Sequence, residues 1–402
     1  METNCILPED LFEGILSRLQ VRDLLRLRCV SKSWRALIDD PCFIWKQHCV
    51  QYAMHKANGD VPLLLWKRLS SIEGPPNQCS LLSKQQGYDT VLNWIPDVER
   101  DTYSILPNDP DIHLQVFCRG SSNGIICFEF NAYDVEGLGR DSFTCGLWNP
   151  ASRDFKIVAY PHVPDQLTRG HFCVAGFGFD PLSNDFKIVA RTAVVSDVIL
   201  VYMVYTLSTD SWKRVHEPCL LGSNASGEPS TMDTCLNGVY YWTASLLQNE
   251  NCIFRILSFN FSTELFRFSD PPQEALPLVY RANFEFMYDI GLYNECLALF
   301  FTRSVFGVAG ASVDIWVVTQ FDDDFGVPLA WQCLISIKTT FELGPSFRAQ
   351  RIDGDLLFST YFDGLSLYNP TTGMFRNLGV DCDFCFRYVG SLYPLSRRVV
   401  QR

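Results

Sequence analysis

Three groups of residues have types and spacings that could do chemistry unaided. Cys382-Asp383-Phe384-Cys385 is a CxxC pair. Zinc needs four ligands, and no second CxxC or His pair stands near it. A redox dithiol needs a strand-to-helix setting that this part of the chain lacks, so the two thiols read as buried members of an edge strand. Asp322-Asp323-Asp324 gathers three carboxylates. A Ca²⁺ loop, however, alternates its oxygen ligands and places a Gly at a fixed offset, so this run reads as a solvated acidic turn. The six His, at positions 48, 55, 113, 162, 171 and 216, are dispersed. His162 and His171 flank a loop, but no Ser or Cys lies in a nucleophile-elbow setting, and only assembly in space would make a triad. No GxxxxGK or GxGxxG phosphate cradle occurs. The sequence therefore points to no catalytic residue, no metal and no cofactor.

Composition narrows the class further. A chain of 402 residues, 47% of them hydrophobic, has room for a small module and one large domain. The formal net charge of −12 argues against a nucleic-acid partner, which would need clustered basic surface. Local basicity at Arg22, Arg26, Arg28, Lys32 and Arg35 reads as a solvated face that would also complement an acidic partner. Met1 to Asp10 lacks the apolar core of a secretory signal. No run of eighteen apolar residues predicts a membrane span. The 16 Cys follow no framework spacing and are expected to be reduced thiols in the cytosol or nucleus. The sequons at Asn224 and Asn260 are then chance matches.

Positioning elements come in two textures. From Leu7 to His48 the apolar residues keep helical spacing. Leu7, Leu11, Ile15, Leu16 and Leu19 share one helix face, Val21, Leu24, Leu25 and Arg28 mark a second helix, and Trp34, Leu37 and Ile38 a third. Pro8 suits a first turn, Ser31 an N-cap, and Asp40-Pro41 a further start before Phe43, Ile44 and Trp45. Such short helices cannot bury all this leucine among themselves, which leaves apolar surface for a partner. Cys49 to Leu69, with its block Leu63-Leu64-Leu65-Trp66, reads as further helix connecting to the next domain. Gly74-Pro75-Pro76-Asn77 marks a boundary between Ser70 and Ser83.

Beyond Leu81 the pattern is short strands and one recurrent hairpin. Trp148-Asn149-Pro150-Ala151-Ser152-Arg153-Asp154-Phe155 is echoed at Phe179–Phe186, Tyr205–Trp212, Phe259–Phe266 and Tyr368–Phe375, with a weaker form between Ile315 and Ile337. In each, aromatics close a turn entered by Asx or Thr, so rings from two strands should face each other. Asn237-Gly238 and Asp353-Gly354 are hairpin signals between copies. Later copies lie about fifty residues or a multiple apart, the length of a four-stranded blade, and blades bury their faces by closing a propeller. A large irregular β-sandwich is the competing architecture.

The order Leu7-Pro8, Ile15-Leu16, Leu19, Leu24-Leu25-Arg26, Cys29-Val30-Ser31-Lys32, Trp34, Leu37-Ile38-Asp39-Asp40-Pro41 and Phe43 resembles an F-box. Gln20 stands where that family usually has Pro, and Gly14 interrupts the first helix. The Trp-Asn-Pro and Gly-Phe-Asp-Pro…Asp-Phe-Lys-Ile-Val segments resemble the F-box-associated domain of plant F-box proteins, whose relatives include S-locus F-box proteins and kelch-type propellers. The resemblance implies an α+β multidomain chain: a three-helix F-box over 1–48, a helical connector over 49–80, a kelch-like β-propeller substrate domain over 81–395 and a tail over 396–402. It further implies a non-catalytic substrate receptor of an SCF-type (Skp–cullin–F-box) ubiquitin ligase, with a Skp-type adaptor and, through it, cullin as partners beside a target protein. Leu7, Pro8, Leu11, Ile15, Leu16, Leu19, Leu24, Leu25, Val30, Trp34 and Leu37 would form or support the adaptor surface, some of them from the module's own core. Two alternatives stay open: a scaffold that binds the adaptor without cullin, and an enzyme with a pocket on the propeller axis.

Overall fold

The hairpins dictate the architecture. The computed structural model describes residues 9–59, 61–68, 77–83, 90–93, 113–133, 144–160, 172–194, 199–216, 234–248, 251–275, 284–305, 310–322, 325–339, 346–350, 354–360 and 364–395. Four helices, α1 (Glu9–Leu16), α2 (Val21–Leu27), α3 (Lys32–Ile38) and α4 (Pro41–Ala57), precede strands that form six antiparallel four-stranded sheets. These are the blades of a propeller. Blades 2 to 6 run in order over 113–159, 172–215, 234–269, 284–339 and 346–377.

Blade 1 is assembled from both ends of the domain. Leu63–Arg68, Asn77–Ser83 and Thr90–Asn93 pair in sequence, and Phe384–Arg387 adds to the free edge of the first of them. This last strand touches the first strands of blades 2 and 6, so it takes the axial place in blade 1 and closes the ring. Ring closure hides the sheet edges that an open stack would leave inside.

The aromatic pairs face each other as the repeat requires. Trp148 lies opposite Phe155, Phe179 opposite Phe186, Tyr205 opposite Trp212, Phe259 opposite Phe266 and Tyr368 opposite Phe375. Ring centroids are 4.6 Å apart for Phe259–Phe266 and 4.8 Å for Tyr368–Phe375. The turns share one conformation. The Asx carboxamide or carboxylate accepts backbone N–H groups just ahead, as when Asn149 Oδ1 takes those of Ala151 and Ser152 and Asn369 Oδ1 those of Thr371 and Thr372. Four residues after the Asx or Thr the backbone turns left-handed, at Arg153, Asn184, Asp210, Glu264 and Gly373.

Two expectations need correction. Leu63-Leu64-Leu65-Trp66 is strand, not connector helix, and Asn77–Ser83 is strand rather than boundary, so the β-domain begins at Leu63 instead of 81. Those four apolar residues are at most 3% exposed, and a strand buried on both faces shows no alternation to separate it from a helix. Helix α4 meanwhile runs straight across the expected break at residue 48. The copy at Phe179–Phe186, for its part, joins the first two strands of blade 3, whereas the other clear copies join the third and fourth. Blade 3 therefore carries two copies, at Phe179–Phe186 and Tyr205–Trp212.

Turns between strands 1 and 2, and between 3 and 4, emerge on one face of the propeller by the antiparallel order. Asn123-Gly124, Asn237-Gly238 and Asn294-Glu295 are two-residue turns there, with both φ angles positive. The helices pack on this tight-turn face.

Candidate functional site

The helical module is built as its caps dictate. Ser31 Oγ accepts the N–H of Trp34 at 3.1 Å, and Asp40 Oδ1 those of Cys42 at 2.8 Å and Phe43 at 3.2 Å. Gln20 caps α2 without a side-chain bond, at φ −66°. That is the angle a proline ring would impose, so the turn survives the substitution. Leu16, Val21, Leu24, Ile38, Phe43 and Ile44 form the module's core, and Phe12 packs on Trp34 with ring centroids 5.1 Å apart.

Buried glutamines complete that core, and nothing in the apolar periodicity announced them. Gln47 Nε2 donates to Leu19 O at 3.1 Å, and Gln51 Nε2 to Ser17 O and Leu19 O at 3.3 and 3.2 Å. They satisfy carbonyls left open at the end of α1. The only sequence signal is their four-residue spacing on α4.

The residues implied by the F-box resemblance divide by exposure. Leu16 and Leu24 point inward at 3% and 0% exposed, while Leu19, Leu25, Trp34 and Leu37 are half-buried around them. Leu11, Ile15 and Val30 face solvent at 57%, 52% and 64%. Leu7 and Pro8 lie outside the described residues. An apolar face on α1 and at the α2–α3 turn is thus presented by a module whose own core is already filled.

Three contacts seat the module on the propeller. Trp45 stacks on Phe179 with centroids 5.2 Å apart and planes 10° from parallel. The Tyr52 hydroxyl donates to Glu295 Oε1 at 2.9 Å, Lys56 Nζ reaches Glu295 Oε2 at 2.6 Å, and Arg387 Nη1 lies 3.5 Å from the same tyrosine oxygen. The Lys56 ammonium, outweighing partial burial, holds the Glu295 carboxyl below its usual range, so the latch is charged at neutral pH.

The third contact is a strap, residues 388–395, that follows the closing strand. Leu392 enters the module's core, Tyr393 rests edge-on against Phe186 at 4.7 Å, and Leu395 joins the core between blades 2 and 3. Asn149 Nδ2 donates to Ser391 O and Tyr393 O, both at 2.9 Å, so one repeat turn ties the strap down. Gly124 admits it: a Cβ there would sit 2.4 Å from Val389 O. His48 lies against the same strap, its pKa pushed down by burial despite a bond to the Gly390 carbonyl.

Groups singled out as possible chemistry have structural roles or fall outside the described residues. Cys382 and Cys385 are buried, Cys385 within the closing strand of blade 1, and both pack with Leu357, Leu365 and Leu367 of blade 6. Asp322 Oδ1 accepts the N–H of Phe325 within its turn, and Asp323 and Asp324 lie outside the described residues, as do His162 and His171. Among the described residues no group of three His, Cys, Asp or Glu is placed to hold a metal, and no helix is long and apolar enough to cross a membrane.

Comparison with known proteins agrees with this division. A family profile described as F-box associated beta propeller domain matches residues 79–324, and one described as F-box-like matches 5–51. The chain is 25% identical to an F-box/kelch-repeat protein of Arabidopsis thaliana over 376 residues, covering 92% of this chain and 89% of that one. It is 24% identical to an F-box protein of the same plant over 288 residues, covering 67% and 63%. Among solved structures, a Lactobacillus plantarum protein aligns over 83% of this chain and 98% of its own with a TM-score of 0.38 and 9% identity.

Proposed function

The chain belongs to the F-box-associated β-propeller family, and from that premise we propose that it is the substrate-recognition subunit of an SCF-type (Skp–cullin–F-box) ubiquitin ligase. One observation carries the reading. Leu11, Ile15 and Val30 stay exposed on the same module whose Trp45, Tyr52 and Lys56 are engaged with the propeller. The helices thus have a docked side and an apolar side, and the apolar side suits a Skp-type adaptor, which in turn recruits cullin. Leu7 and Pro8 belong to that surface by resemblance, Leu16 and Leu24 support it from within, and Leu19, Leu25, Trp34 and Leu37 shape its flank.

The propeller holds the target on the face away from the helices, where strands 2 and 3 and successive blades are joined. A net charge of −12 steers a basic target more than it binds one. Ubiquitination then follows from raised effective concentration at the charged enzyme, with no nucleophile from this chain. The reading places the protein in the cytosol or nucleus, where thiols such as Cys118, Cys127 and Cys145 stay reduced.

Leu11→Asp combined with Ile15→Asp should abolish pull-down of a Skp-type adaptor while the propeller's thermal transition is unchanged. Undiminished pull-down would sink the proposal. Adaptor capture without cullin in the same complex would instead favour a scaffold outside any ligase.

A further inference from the structure

Between the helices and the tight-turn face lies a cleft of about 910 Å³ that, apart from Leu25 at its edge, adaptor and target binding leave without a role. Its size falls in the range of small-molecule sites, which form preferentially where two domains meet. The floor is apolar, made by Phe179, Phe186 and Leu207 of blade 3 and by Leu392, Tyr393 and Leu395 of the strap. The roof is Trp45 of α4 together with Arg28, Lys32 and Arg35 from the end of α2 and from α3.

Two features narrow the occupant. Trp45 covers one face of its indole with Phe179 and has the His48 ring 6.4 Å away, yet is 42% exposed, so part of the indole remains available to a flat ring. Charge supplies the second. Arg28 and Arg35 share the carboxylate of Asp39, at 2.6 and 3.6 Å. The Asp40 carboxylate is occupied at the N-terminus of α4. With Lys32 added, the roof carries more cation than its own acids neutralise, in a chain of net charge −12. Asp154 on the facing wall disfavours a second negative group at the far end of a ligand.

We propose that this cleft binds a small organic anion with a flat, apolar body, its ring against Trp45 and the floor and its single anionic group toward Lys32 and Arg35. The site stands independently of the ligase reading, since adaptor pull-down and anion binding are separate measurements.

The probe is 1-anilinonaphthalene-8-sulfonate, an aromatic sulfonate, titrated into the full-length chain by calorimetry and by energy transfer from tryptophan. One saturable site is expected. Ala36→Trp fills the cleft from an exposed position on α3, and Lys32→Glu with Arg35→Glu reverses the charge of its roof. Each variant, checked for an unchanged thermal melt, weakens binding about tenfold or more, a loss of about 1.4 kcal/mol. Leu329→Ser, on the outer strand of blade 5, does not. Absence of a saturable site, several equivalent sites, or full affinity in both cleft variants would overturn the proposal. If one cleft variant fails to fold, the other decides.

Discussion

Lys187 is a cation placed 8% exposed between blades 3 and 4. Its ammonium donates to Phe261 O at 2.6 Å and pairs with Asp180 at 3.1 Å and Glu264 at 3.3 Å. Such a group stabilises only while every partner is in place. Lys187→Met should cost about 3 kcal/mol in a denaturant titration, because it strands a buried carboxylate and a carbonyl. Burial alone would raise the pKa of Asp180, but the hydroxyls of Ser183 and Ser262 and the Lys187 ammonium outweigh it and bring the value down from 3.8 to about 2. A carboxyl depressed by folding adds stability above its unfolded pKa and loses it as pH falls through the folded one. Asp180→Asn should therefore cost about 2 kcal/mol at neutral pH and flatten the acid side of the melting profile between 3.8 and about 2. An unchanged acid limb would refute the assignment. A second buried carboxylate also bridges blades: Glu129 accepts from the Arg119 guanidinium and from the Val174 N–H, pinning blade 2 to blade 3.

Among the elements, α1 and the repeat turns hold sequence choices that fall short of the best available residue. A Cβ on Gly14 meets nothing within 4 Å, so Gly14→Ala should stabilise the module by about 1 kcal/mol through helix propensity alone. Arg153 occupies, at φ 60°, the left-handed position that Gly373 fills in blade 6. Arg153→Gly should relieve roughly 1 kcal/mol of backbone cost, visible as a higher melting temperature. The same turns show what could be read in advance. The aromatic pairing, the Asx caps and the Ser31 and Asp40 starts follow from local chemistry, and each stands where the spacing put it. Leu63–Trp66 reads as helix from sequence because a strand with two buried faces carries no period. Which strand pair Phe179–Phe186 joins is not legible, because the turn chemistry is the same at both positions. Gln47, Gln51 and the role of Asn149 were invisible, since each depends on a partner 28 to 244 residues away.

At the scale of the whole molecule, the first helices, the first strand and the last strand are mutually dependent. Removing residues 384–402 takes away the axial strand of blade 1, the Leu392 anchor and both acceptors of Asn149 Nδ2. The truncated chain should lose its cooperative thermal transition, because it exposes a sheet edge and two cores together. A subtler change targets only orientation. Tyr52→Phe with Glu295→Gln removes the latch to blade 5 without opening either core, so the melt should hold while small-angle scattering broadens. An identical scattering profile would show that Trp45–Phe179 and the strap suffice.

The strap has a consequence for how the protein is made. The helices leave the ribosome before the propeller, yet the strap residues that finish their seat are translated only after it. A message cut short before the strap therefore yields a polypeptide that still displays Leu11 and Ile15 but has no closed propeller behind them. On the ligase reading, such fragments would compete for adaptor while delivering nothing, which ties usefulness to translation through the strap.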